Sequence, residues 1–268
     1  MTEHELEQQI AASEAYEKIF VPGLFAQWTD WVLDLAGVSE GNAVLDVACG
    51  TGVLTRAAAD RVGETGKVAG IDLSCGMVEV AKRLAPEAVD LRVASADCLP
   101  YEDGTFDSVV SQFGMMFFPD KPHCVGEMAR VIGDEGKVAV AVWDDLESNP
   151  VFFDLVNLLD QMAGTAAADA LRMPFSMGDG DELWSIGEKG GLKGIGIERQ
   201  TKPGNFESIR TLVEGEVRGW LPVMGVHLDE LLISEILDES GTALAAYSND
   251  DGSATIDLSA VVLCGSKA

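Results

Sequence analysis

Val44-Leu45-Asp46-Val47-Ala48-Cys49-Gly50-Thr51-Gly52 reads as a buried strand that runs straight into a glycine turn, with a helical pattern from Val53 onward. The run from Ala43 to Ala48 lacks the alternation of a half-exposed strand, as expected where helices cover both faces of a parallel sheet. Glycine lets the backbone approach a ligand closely, and the free N–H groups at a helix start favour an anion such as a carboxylate. The stretch fits a dinucleotide-binding turn poorly. Counted from Gly50, Thr55 stands where that fingerprint needs glycine, and Asp46 falls where its first glycines lie.

Working outward, short apolar runs alternate with helical periods, the pattern of βα units. Strands are expected at 43–48, 67–72, 90–94, 106–112 and 136–143, with helices near 53–62, 75–84 and 121–132. Upstream, residues 3–37 read as two helices broken at Pro22 and Gly23. Downstream, 150–171 reads as one long helix, 179–189 as another, and 193–201 as a strand. Phe206, Ile209, Leu212, Val213, Val217 and Trp220 then repeat at helical spacing, continued by Leu228, Leu232 and Ile236. A last strand is expected near 254–264, after the turn residues 249–252.

Composition narrows the function. With 18 Lys and Arg against 45 Asp and Glu, the formal charge is −27. Such a field repels phosphate backbones and anionic membrane surfaces, which argues against a nucleic-acid or membrane partner. The five cysteines show no close spacing of a zinc or redox motif, so no metal site is expected and a reducing compartment fits. No apolar run approaches a membrane span, and the polar start MTEHELEQQI lacks the pattern of a secretory signal. A cytoplasmic protein with a small-molecule substrate is the expectation; the oligomeric state stays open.

Chemistry-bearing residues recur at successive strand ends, where open α/β sheets bind ligands. Asp72, in Gly70-Ile71-Asp72-Leu73-Ser74, is placed to accept both hydroxyls of a ribose, although an Asp there is also suited to cap the helix that follows. Ala94-Ser95-Ala96-Asp97-Cys98-Leu99-Pro100 offers an acceptor for an adenine amino group. The strand 106–112 ends in Gln112, with Phe113 beside it.

DVACGTG at 46–52, GIDLS at 70–74, SADCLP at 95–100, FDSVVSQFGMMFFPD at 106–120 and EMARVIGDEGKVAVAVW at 127–143 together resemble the successive motifs of class I S-adenosylmethionine-dependent methyltransferases. The likeness is to the branch that includes quinone-biosynthesis methyltransferases. It is strong over 40–143; elsewhere only the layout is similar. One departure is Ala48, where many members carry glycine.

The resemblance implies an α/β Rossmann-like fold with a seven-stranded, mainly parallel sheet, the last strand antiparallel. It also implies a single domain over 1–268, with an N-terminal helical lid at 1–37, a cofactor-binding core at 40–143, and helical insertions at 145–190 and 204–245 on the substrate side. S-adenosyl-L-methionine is the implied cofactor. Ala48, Cys49, Gly50, Thr51 and Gly52 would form the turn around its methionine portion, with Asp46 supporting the turn or the amino group. Asp72 would hold the ribose, Leu73 and Met77 would flank the adenine, and Ala96, Asp97 and Cys98 would read the adenine edge. Gln112 and Phe113 would lie beside the sulfonium.

Methyl transfer needs no protein nucleophile. Where the acceptor needs a base, His227 is better placed in the sequence than His4 or His123, because it falls in the second insertion near Trp220 and Met224. Tyr16, Phe25 and Trp28 suit either a cover over the cofactor or plain helix packing. Met115, Met116, Phe117 and Phe118 suit either an acceptor pocket or the core. Two other functions stay open: a nicotinamide-dependent oxidoreductase using the same strand, turn and ribose acid, and a non-catalytic cofactor-binding or assembly protein.

Overall fold

The computed structural model describes residues 2–267. Seven strands form one sheet: β1 Ala43–Val47, β2 Lys67–Asp72, β3 Asp90–Val93, β4 Phe106–Gln112, β5 Ile132–Trp143, β6 Leu192–Phe206 and β7 Ala254–Lys267, in the order β3-β2-β1-β4-β5-β7-β6. The first five are parallel, and β7 runs antiparallel to both β5 and β6. This is the expected sheet, including its reversed last strand. Strand β1 lies near the middle, with Asp46 opposite Gly70 of β2 and Val110 of β4.

The helices are α1 Glu3–Phe20, α2 Thr29–Leu35, α3 Val53–Val62, α4 Cys75–Leu84, α5 Lys121–Val131, α6 Pro150–Ala163, α7 Thr165–Arg172, α8 Gly180–Lys189 and α9 Ile209–Gly215, followed by the helix Glu230–Ala243. In the core the sequence pattern and the structure agree to within a residue at α3, α4 and α5. Val138, Ala139, Val140, Ala141 and Val142 of β5 are completely buried, which is why that run carries no alternation.

Departures have local causes. Strand β6 continues past 201 through Pro203 and so takes the first residues of the expected 204–245 insertion. Being the sheet's edge, it tolerates a residue without an N–H. The stretch 150–171 is two helices rather than one, because Gly164 sits at φ +86° between α6 and α7. Pro22 and Gly23 do not break the chain: Val21–Phe25 forms a wide π turn, with Ala26 N–H donating to Val21 C=O, and passes through a 3-10 turn into α2. A second π turn, Glu216–Trp220, follows α9, with Leu221 N–H donating to Glu216 C=O. The helical run then ends at Val223, and Asp229 caps a separate helix by accepting from Leu232 N–H.

Helix α1 lies across α4 at a point where only glycine fits. A methyl group at Gly76 would come within 2.6 Å of the Gln9 backbone. Gly76→Ala tests that contact, because the two effects oppose each other. Ala favours the helix by about 1 kcal/mol, whereas overpacking against immobile backbone costs about 1–3 kcal/mol. The clash should win, giving a lower midpoint in urea and faster proteolysis of α1; a more stable variant would refute the contact.

Candidate functional site

A cavity of about 480 Å³ opens at the carboxyl ends of β1, β2 and β4. Its position is set by topology: the chain leaves β1 toward β2 on one side and later returns to β4 on the other, so the loops part above β1. Its size suits a cofactor or a small ligand.

The turn after β1 forms the floor. Ala48, Gly50 and Gly52 all take positive φ, at 59°, 56° and 87°. A methyl group at Gly50 would meet no atom within 4 Å, since that side of the turn faces open space. Two backbone donors lock the turn to β2 through Asp72: Gly50 N–H donates to one carboxylate oxygen at 2.9 Å and Ser74 N–H to the other at 2.8 Å. The cap of α4 falls instead to Ser74, whose hydroxyl accepts from Met77 N–H. The capping role considered for Asp72 is therefore taken by its neighbour.

Asp46 lies under the turn, 1% exposed, with one oxygen accepting from the Thr55 hydroxyl at 2.6 Å. Its other oxygen has no partner among the described residues, nor have the Thr51 hydroxyl and the Gln112 side-chain oxygen. All three residues line the cavity. Buried polar atoms without partners are costly, so three of them around one space fit a ligand that supplies donors. Burial, reinforced by nearby Asp72 and opposed by the Thr55 bond, pushes Asp46 up to about 7. Burial also raises Asp72, against the lowering effect of its backbone donors.

Strain marks the same place. Among the described residues, Ala48 and Phe113 alone are non-glycine residues at positive φ, and both line the cavity, one after β1 and one after β4. A left-handed residue with a side chain costs about 1–2 kcal/mol and persists where its surroundings dictate it. For Phe113 the surroundings are clear: its ring stacks on Trp143 at 3.9 Å and 13°.

The ubiE/COQ5 methyltransferase family model matches residues 11–154, more than half of the chain. The chain belongs to this family. A ubiquinone/menaquinone biosynthesis C-methyltransferase of Hydrogenovibrio crunogenus is 36% identical over 55% of this chain and 61% of its own. A demethylmenaquinone methyltransferase of Bacillus cereus is 42% identical over 41% of this chain and 48% of its own. The chain thus spans about half to three-fifths of the curated relatives it matches. In fold, a crystal structure described as a putative methyltransferase from an antibiotic biosynthesis pathway, from Anabaena variabilis, superimposes with TM-score 0.65 at 16% identity, covering 90% of this chain and 97% of the other.

Most positions expected from the family pattern meet in this cavity: Asp46, Ala48, Cys49, Gly50, Thr51, Asp72, Leu73, Met77, Ala96, Gln112 and Phe113 all line it. Cys49 is a buried thiol pushed well above its usual range, so it is inert wall rather than nucleophile. Gly52 shapes the turn without forming part of the lining. Asp97 and Cys98 lie outside it, and Cys98 is exposed. Their loop turns away after Ala96, held by His123, whose ring bonds the Asp97 carbonyl at 3.0 Å. His227 is likewise exposed and outside the lining, because the helical run that would have carried it inward stops at Val223.

Tyr16 and Phe25 do cover the cavity, whereas Trp28 is fully buried core. Phe117 and Phe118 face the cavity, and Met115 is core. Sequence reasoning passed over Glu216, which lines an adjoining side pocket. An acid inside an otherwise apolar helical period was the available signal.

Asp46 generates a prediction for the protein alone. Because its value rises from 3.8 to about 7, the folded state holds the proton more tightly than the unfolded chain. That stability is complete below about pH 4 and is lost as pH rises through about 7. In urea titrations, Asp46→Asn should gain on the wild type between pH 5 and pH 8 by an amount on the order of a few kcal/mol. Parallel pH profiles for the two proteins would show that Asp46 is not so perturbed.

Proposed function

We propose that the cavity holds S-adenosyl-L-methionine and that the protein transfers its methyl group to a small, apolar aromatic acceptor in the cytoplasm. The observation that carries this reading is the charge of the lining: it includes Asp46 and Asp72 and no Lys or Arg. A cationic sulfonium with an amino group suits such a space, and a pyrophosphate dianion does not. The nicotinamide alternative is disfavoured on the same ground. Membership of a methyltransferase family and the expected residue pattern support the assignment.

In this reading Thr51 N–H is the donor of the 50–52 turn offered to the methionine carboxylate, since Gly50 N–H is bonded to Asp72 and Gly52 N–H to the Cys49 carbonyl. Asp46 and the Gln112 side-chain oxygen receive donors, and Asp72 keeps lone pairs for the ribose beyond its two backbone bonds. Leu73 and Met77 flank the adenine, with Ala94, Ser95 and Ala96 at its edge. The cofactor, when bound, supplies a methyl group already activated by positive sulfur. The chain's work is then placement and exclusion of water: Tyr16 and Phe25 close one side, and Phe117, Trp220 and Met224 wall the approach of the acceptor.

Thermal-shift measurements with S-adenosylhomocysteine and with NAD test the assignment. The former should raise the melting temperature and the latter leave it unchanged. Asp72→Asn must turn an amide NH2 toward one of the two backbone N–H donors, so it should weaken S-adenosylhomocysteine binding by about tenfold or more. Stabilisation by NAD alone would overturn the proposal.

A further inference from the structure

Beside the main cavity lies a side pocket of about 90 Å³. The two share Tyr16, Phe25, Phe113, Phe117 and Trp220, so the side pocket continues the space beyond Gln112 and Phe113. Its walls are almost wholly aromatic and aliphatic. Phe25 of the first π turn and Trp220 of the second both line it, and Trp220 is held in orientation by its indole N–H bond to the Ala170 carbonyl at 2.9 Å. Phe152 and Phe175 pack at 4.9 Å at another side.

One carboxyl group enters this surface, beside the phenol of Tyr16. Glu216, the first residue of the second π turn, is 4% exposed and lines the pocket, and burial is the one influence on its carboxyl, with no hydrogen bond from the described residues acting on it. A lone buried carboxyl is expensive, and an apolar side chain would fit the helical pattern better. Wide π turns tend to be kept where they aim a side chain at a functional site. Here the extra residue in the turn helps carry both Glu216 and Trp220 to one pocket.

We propose that Glu216 is the acceptor-recognition residue: its carboxylic acid donates a hydrogen bond to an oxygen substituent on a flat, apolar ring molecule. Size sets the placement. At about 90 Å³ the side pocket is smaller than the cavity of about 150 Å³ that takes benzene, so a ring with its oxygen on Glu216 extends into the main cavity. Its far edge then lies beside Gln112 and Phe113. This inference rests on the methyltransferase reading only for the purpose of that placement; recognition of the oxygen stands on the side pocket itself.

Burial alone pushes Glu216 from 4.5 up to about 8, so at neutral pH it is protonated and able to donate. Tyr16 on α1 is the other titratable group lining the pocket, and burial raises it too, so it stays neutral. Charged groups on the packed elements do not act on it: Arg218 pairs with Glu214 and Glu230, Arg210 of α9 with Asp238, Arg172 of α7 with Asp169 and Glu17 of α1 with Arg56, while Lys18 of α1 is exposed.

Equilibrium dialysis with 1-tetralone and tetralin tests the proposal, since the two bicyclic probes differ by one carbonyl oxygen and neither titrates. At pH 6.5 the ratio of tetralone to tetralin affinity should be about tenfold higher in the wild type than in Glu216→Leu. It should fall as pH rises through about 8 in the wild type, where the donor proton is lost. Glu216→Gln, which keeps an uncharged donor, should retain the preference without the pH dependence. Equal ratios in wild type and Glu216→Leu, or a wild-type ratio that does not change with pH, would overturn the proposal.

Glu216→Leu should fold at least as stably as the wild type, because it removes an isolated buried acid; if it does not, the Gln variant's pH profile alone decides. S-adenosylhomocysteine binding, measured separately by calorimetry, should be unchanged in both variants. Its absence in the wild type with the tetralone preference intact would defeat the methyl-donor reading and leave Glu216's role standing; the converse result would do the opposite.

Discussion

The site depends on one carboxylate. Asp72 accepts from Gly50 N–H with one oxygen and Ser74 N–H with the other, and thereby joins the loop after β1 to the end of β2. Parallel strands are joined only through crossovers, so nothing in the sheet ladder itself positions one strand's following loop against the next. Asp72 does so, helped by the Cys49 N–H bond to the Ile71 carbonyl at 2.8 Å. Two charge-assisted bonds of this kind contribute about 1.5–3 kcal/mol each, enough to offset the strain of a turn with positive φ at Ala48, Gly50 and Gly52.

The cover is tied to that same turn. Arg56, on α3, donates from one nitrogen to the Thr51 carbonyl and from another to Glu17 of α1, both at 2.7 Å. One guanidinium therefore couples the floor of the cavity to the helix that carries Tyr16. The pair is about one-quarter exposed, so its worth lies less in net stability than in fixing how α1 sits. Gly76 sets the other limit by letting α1 approach α4 backbone to backbone. Helix α1 is thus held at two points on either side of the residue that covers the ligand space.

Legibility from the amino-acid sequence followed burial. Strands β1, β2 and β4 and helices α3 to α5 were readable because strand ends, glycine turns and helical periods agree with one another there. Asp46, Asp72 and the 50–52 turn were readable for the same reason. Outside that core the period alone misled. It carried a helix past Gly164, stopped a strand before Pro203, and ran a helix through 224–229 toward His227. In each case the deciding feature was one that hydrophobic period does not carry: the left-handed Gly164, the edge position of β6, and the helix end at Val223. The π turns were invisible because their signature is a hydrogen-bond offset rather than a residue type. Glu216 was missed with them.

The three acids around the ligand space, Asp46, Asp72 and Glu216, form a gradient of accessibility to protons and donors. Asp72 has two backbone donors, Asp46 has the Thr55 hydroxyl, and Glu216 has none, while burial raises all three. The number of donors sets how readily each exists as an anion: most at the expected ribose end, least in the aromatic side pocket. A cation entering between Asp46 and Asp72 further favours their ionised forms, whereas Glu216, set apart among rings, keeps its proton. In a chain of formal charge −27, the surface acids are free to stay charged in water, but these three are governed by what the fold places against them. The main cavity and its side pocket can then present anions at one end and a neutral acid at the other at the same pH.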